Sequence, residues 1–241
     1  MSTLLFAAEV LMYRIYLGFY GNQFSESRTN FIPSRYVLPS SDMQRVESEI
    51  LEFKLRIDRQ RKIARTLVAF ANGAGGTLMV GVRDNGSVAG CRAEEEAYMI
   101  EGAAQRFARP EVPFTARIER QDGKEVLVVE VPASEHAPHA ACEEEAEAWT
   151  VYVRRGAANY RANRVLLEEI KLRTQSETQA NVNHLALIPL LDAEEACTAS
   201  RLARTSGLPI RDVEDGLAVL LHWGQVVAQP REKGWVYRLP E

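Results

Sequence analysis

The stretch VAFANGAGGTLMVGVRDNG, residues 68–86, decides how the chain folds, because it holds a helix end, a glycine corner and an apolar run in immediate succession. Upstream, RIDRQRKIARTLVAFAN carries apolar residues at Ile57, Ile63, Leu67, Val68 and Phe70, and much of that spacing is helical. Within the stretch, GTLMVGV is a short continuous apolar run, read as a buried strand that the turn RDNG ends. Glycines at such a junction raise the question of phosphate binding. A P-loop needs G-x-x-x-x-G-K-[ST] in the order strand, glycines, helix, so that a lysine and the helix N-terminal amides meet the phosphates. Here Gly73, Gly75 and Gly76 are followed by Thr77 and Leu78, and the order is helix, glycines, strand. The sequence therefore predicts a corner, with Asn72 and Gly73 capping the helix and Gly75–Gly76 turning into the strand.

Further along, EEEAYMIEGAAQRFA predicts a helix closed by Pro110, and FTARIERQDGKEVLVVEVP alternates on either side of Asp122–Gly123, a hairpin signal. WTVYVRRG reads as a strand and RVLLEEIKLR as a helix. Helices mixed with strands, including an antiparallel hairpin, predict an α+β domain with a mixed sheet. The polar TQSETQANVN reads as a linker. Beyond it the order is helix, short helix ASRLARTSG, a turn at Gly207, helix PIRDVEDGLAVLLHWG, then two short strands around REKG, which is the order of a winged helix-turn-helix. The expected organisation is an N-terminal extension or docking element at 1–42, the α+β domain at 43–173, a linker at 174–184 and a small winged helix domain at 185–241.

Composition narrows the class. Among 241 residues, 26% are charged and the formal net charge is −4, which excludes a generally basic nucleic-acid coat but leaves room for a local basic patch. Three cysteines, Cys91, Cys142 and Cys197, form no C-x-x-C pair and fit free thiols in a reducing compartment. A cytoplasmic location is expected. The apolar segment MSTLLFAAEVLMYRIYLGFYG is interrupted by Glu9 and Arg14 and is short for a membrane span, so it reads as a docking element.

Acidic residues flank the glycines. Glu47 and Glu52 precede them, Lys54 follows Glu52, and Asp84 lies just past the apolar strand. If the sheet gathers them, three carboxylates supply hard oxygen ligands for Mg or Mn, and such an ion can activate water at a phosphate, with the lysine assisting. By spacing alone, Glu and Lys at short intervals equally make a solvated face.

The segments ESEILEFK, VAFANGAGGTLMVGVRDNGSVAG, GKEVLVVEVP and VYVRRGAANYRA together resemble, in order and spacing, the Schlafen-type AlbA-like domain, over about Val46 to Arg173. This domain has also been labelled a divergent ATPase, ATP-binding or DNA-binding domain. The resemblance implies nucleic-acid binding, and the RNA-cleaving animal members imply catalytic and metal-holding roles for Glu47, Glu52 and Asp84 with Lys54 beside them. The position before Asp84, often acidic in the family, is Arg83 here, which sets a positive charge beside the implied metal site. The zinc site of Schlafen proteins has no counterpart: His136, His139 and Cys142 read as loop residues.

Basic residues supply the electrostatic footing. Arg56, Arg59, Arg61, Lys62 and Arg65 cluster after the EFK motif, and Arg154 and Arg155 end VYVRRG. They either grip phosphates or form a solvated face. Tyr152 and Tyr160 either stack on bases or pack. From Asn181 to Glu241 there are six Lys or Arg against eight Asp or Glu, so the winged helix either reads DNA weakly, through Arg201, Arg204, Arg211, Arg231 and Lys233, or mediates self-association into a homo-oligomer. The leading expectation is a protein that binds RNA or DNA, with metal-dependent RNA cleavage implied by the resemblance. A non-catalytic DNA-binding regulator and an ATP-binding protein are the rivals.

Overall fold

A computed structural model describes residues 46–143, 148–174, 182–192 and 196–240. The expected docking element at 1–42 and most of the expected linker lie outside these residues.

The opening unit is strand, helix, strand. Strand β1 (Leu51–Lys54) leads to α1 (Gln60–Ala71), and the glycine corner returns the chain as β2 (Gly76–Val80), parallel to β1 with Glu52 opposite Leu78 and Lys54 opposite Val80. The corner forms as the sequence predicts. Asn72 is the helix C-cap, and its amide bonds back to the carbonyl of Val68 (2.9 Å), while those of Gly73 and Gly75 both donate to Phe70 (3.0 Å each). Gly75 has φ +82°, and a Cβ there would lie 2.7 Å from the Val131 carbonyl oxygen, so only glycine fits between the corner and the neighbouring strand. These amides are consumed internally and form no anion cradle.

After α2 (Ala93–Arg106) and the short β3 (Ala108–Arg109), strands β4 (Thr115–Gln121) and β5 (Lys124–Val131) make the expected hairpin, turning through positive φ at Asp122 and Gly123. β5 pairs antiparallel with β2, giving a mixed sheet in the order β1-β2-β5-β4. A second, antiparallel sheet has the order β3-β6-β7-β8, with β6 at Ala140–Cys142, β7 at Trp149–Arg155 and β8 at Ala158–Arg161. Six consecutive residues of α1, Thr66–Ala71, are buried. A one-faced amphipathic helix would not bury such a run; α1 does because it shares one core with β2 and β5 of the first sheet and with Ala141 and Tyr152 of the second.

The C-terminal elements are α3 (Arg164–Thr174), a 3₁₀ turn at Val182–Leu187, α4 (Ile188–Asp192), α5 (Ala199–Ser206), α6 (Ile210–His222) and the antiparallel pair β9 (Val227–Arg231) and β10 (Gly234–Arg238). Thr198 caps α5 by accepting from the Arg201 amide, and Gly207, at φ +72°, ends it. This is the expected α+β domain followed by a small domain. Val165, Leu166 and Ile170 of α3, together with Val153, pack with α6 and Tyr237 in a second core, while the sequence reading sets the domain boundary at 173. The apolar side of α3 faces the C-terminal elements.

Candidate nucleic-acid interface

The site grows from β1. Burial does not alternate along LEFK: its two middle residues, Glu52 and Phe53, are both buried, so neither side of β1 is open at its centre. Glu52 is 6% exposed, and a carboxylate so placed requires partners. Lys54 Nζ lies against Oε1 and Arg154 Nη2 lies 2.5 Å from Oε2, without the alignment of a hydrogen bond. Arg154 is itself buried and spans the corner: Nε donates to the Ser48 carbonyl (2.7 Å), Nη2 to the Leu51 carbonyl (3.2 Å) and Nη1 to Asn159 Oδ1 (3.2 Å). It was expected among the phosphate-gripping residues. In the structure it is an internal strut holding the start of β1, Glu52 and β8 in register, and Arg155, half-buried, bonds back to its carbonyl.

Above this strut lies a cleft of about 310 Å³. Lys54, Arg56, Arg59, Lys62 and Arg65 line it, against the carboxylates of Glu52 and Asp58, with Thr66, Tyr152 and Asn159 among its other walls. The basic residues gather because α1 begins directly after the β1 turn: Arg59, Lys62 and Arg65 fall on one helical face at spacings of three, and Arg56 sits in the turn. Arg56 pairs with Asp58 at 2.8 Å in solvent. Arg65 stacks over the Tyr152 ring, 5.6 Å from its centroid, and its Nε is a buried donor with no acceptor. Asn159 Nδ2 donates to Thr66 Oγ1 (2.9 Å) and closes the floor. The sequence reading missed Asn159 although it lies inside the quoted VYVRRGAANYRA; only the packing of β8 on α1 gives it a role.

Other expected residues lie elsewhere. Glu47 Oε1 accepts the Phe53 amide (2.9 Å), so this carboxylate closes the loop before β1. Asp84 is exposed in the turn after β2. Neither lines the cleft. Among the described residues, no three Asp, Glu, His or Cys side chains form a group able to hold a metal ion. Glu52 has a cation at each oxygen, so the donor set does not suit Mg or Mn as it stands. Tyr152 is buried, donating its hydroxyl to Glu143 (3.1 Å), and is a packing residue; Tyr160 is exposed, meets Trp235 edge-on at 5.8 Å and lies outside the cleft.

His139 is buried in the loop before β6. Its backbone amide donates to Asn72 Oδ1 (2.7 Å), while Asn72 Nδ2 donates to the carbonyls of His139 (2.8 Å) and Tyr152 (2.9 Å). Burial lowers the His139 pKa below the ordinary histidine value, partly opposed by the Pro110 carbonyl at Nδ1, with His136 lowering it further.

In the C-terminal elements Arg201, Arg204 and Arg211 are exposed. Five consecutive residues of α6, Gly216–Leu220, are buried, and its exposed residues, Ile210, Arg211, Asp212 and Asp215, all precede them. The acids that the sequence reading set against DNA have a local role: Glu214 and Asp215 pair with Arg164 of α3 at 3.2 and 2.8 Å.

The family model described as Schlafen, AlbA_2 matches residues 47–163. Over those residues the chain is similar to the Schlafen AlbA_2 domain, and the match supports a nucleic-acid-binding role. A search of curated proteins finds no match. Among solved structures, the chain is similar to the DIP2311 protein from Corynebacterium diphtheriae at 17% identity and TM-score 0.42, covering 78% of this chain and 34% of that one. It is also similar to the N-terminal domain of a RecG-related protein from Nitrosomonas europaea at 21% identity and TM-score 0.36, covering 56% of this chain and 90% of that one. The chain thus spans about a third of the length of the diphtheria protein. No helix among the described residues is long and apolar enough to cross a membrane.

Proposed function

We propose that this protein binds nucleic acid by its phosphate backbone in the cleft between β1 and the start of α1. The observation that carries this reading is the local inversion of charge: five cations against two carboxylates in one 310 Å³ cleft, on a chain whose net charge is −4. Such a cleft attracts phosphate and releases counterions, giving affinity without base sequence. Arg65 lines the cleft as well, and its buried Nε has no acceptor. Glu52 acts through its neighbours, fixing Lys54 at the rim while Arg154 holds it from beneath. No chemical step is assigned to a metal: of the carboxylates that the family resemblance implies, Glu52 alone lines this cleft.

The test is fluorescence anisotropy with labelled RNA and DNA over a salt series, repeated with a divalent-ion chelator. Binding is expected to weaken linearly in log salt, to survive chelation within about twofold, and to lose roughly one unit of slope for each of Arg56→Ala and Lys62→Ala. An unchanged slope in the double variant overturns the cleft reading. Incubating the same RNA with Mn tests cleavage: strand scission by wild type, lost in Glu52→Ala, would show that the acids assemble around an ion when substrate binds.

A further inference from the structure

The cleft does not end at α1. Its Asp58–Arg59 wall is shared with a second, shallower cavity of about 390 Å³ on the α2 side, lined also by Arg61, Tyr98, Met99 and Arg106. Tyr98 is 63% exposed, a large aromatic ring that packs in no core and stands among three arginines. Arg61 stacks on Phe107 at 5.1 Å, and its Nη1 donates to the Glu143 carbonyl (3.1 Å), which holds the guanidinium at the cavity edge. Arg106 Nη2 reaches Gln60 Oε1 (3.4 Å) across Gly102, where a Cβ would lie 2.2 Å from Gln60 Nε2, so the glycine lets the two helices bring their polar groups together here. Glu94, Glu95 and Glu101 share the exposed side of α2 with Tyr98 but line neither cavity.

We infer that Tyr98 is a base-stacking platform, and that the two joined cavities form a groove for unpaired nucleic acid: phosphates over Arg59, Lys62 and Arg65, and a splayed base on Tyr98 flanked by Met99 and Arg106. This rests on the cleft being the phosphate site and names its substrate class. A duplex presents phosphates but no free base face, so it gains nothing from Tyr98, whereas a single strand gains one stacking contact. Of the tyrosines that the sequence offered, Tyr152 is buried and Tyr160, though exposed, lines neither cavity, whereas Tyr98 lines the second cavity with its ring open to a base.

The experiment measures anisotropy of a labelled single strand, the same strand in a duplex, and a strand with abasic sites throughout, using wild type, Tyr98→Ala, Tyr98→Phe and Lys62→Glu. Tyr98→Ala is expected to weaken single-strand binding about tenfold, as loss of one stacked base does. It should leave duplex and abasic binding unchanged, and Tyr98→Phe should restore the single-strand affinity. Lys62→Glu should weaken all three probes. If Lys62→Glu weakens all three and Tyr98→Ala shifts none, or shifts all equally, the stacking inference is overturned while the cleft reading stands. If Lys62→Glu has no effect on any probe, the cleft reading fails and the groove with it.

Discussion

Arg154 Nη2 lies 2.5 Å from Glu52 Oε2 with the two side chains 2% and 8% exposed, and this pair joins β1 of the first sheet to β7 of the second. A buried ion pair adds little net stability over an apolar pair, yet breaking it strands a charge. Arg154→Leu also frees the carbonyls of Ser48 and Leu51. The expected loss is about 3–5 kcal/mol, lowering Tm by roughly 10 °C. Lysine should not rescue, because it cannot span carboxylate and carbonyls with one planar fork. A thermal melt within two degrees or so of wild type would contradict this role.

Asn72 supports a second prediction. It is 1% exposed and makes three bonds that tie the end of α1 to the His139 loop and to β7. Asn72→Ala leaves a buried amide and two carbonyls short of partners, at a cost of about 3 kcal/mol. Chemical denaturation should show a lower midpoint with an unchanged slope.

The backbone of this site was legible because local signals agree with the fold. Helical spacing, the missing lysine and the glycine order led to the corner that the structure shows, and Asp122–Gly123 gave the hairpin. Side-chain roles were less legible, since they depend on what the second sheet brings across α1. Arg154 and Arg155 read alike as exposed cations at a strand end, but alternation along β7 sends Arg154 inward to Glu52. Glu47 and Asp84 flank the glycines in sequence, yet one bonds a backbone amide and the other stands in a solvent turn. Tyr98 carried no motif at all; its signal is exposure beside Arg106 of its own helix and Arg59 and Arg61 at the start of α1.

His139 makes stability depend on pH. Its pKa is lowered in the fold by burial, so the unfolded chain, with histidine near 6.5, binds a proton that the folded protein does not. Its contribution is complete above about pH 6.5 and is lost as pH falls below that value. Denaturation at pH 7.5 and 5.5 should show lower stability at 5.5. His139→Gln should be weaker at pH 7.5 but lose less between the two values; an equal loss would place the dependence on another group.

The division of the two cores yields the last prediction. Leu166 is 1% exposed on α3, in a helix the sequence reading grouped with the domain before it, yet it packs in the core of the C-terminal elements. Leu166→Ala should cost about 2–5 kcal/mol, the range for a buried leucine whose cavity does not collapse. The damage should register first at Trp235, whose Nε1 donates to the Arg161 carbonyl (3.0 Å) across the junction that α3 supports. Amide exchange in the variant should therefore accelerate in α6 and β10 and leave β2 and β5 close to wild type. If exchange rises first in β2 and β5 instead, α3 belongs energetically to the core of α1, β2 and β5, and its grouping with the C-terminal elements is misplaced.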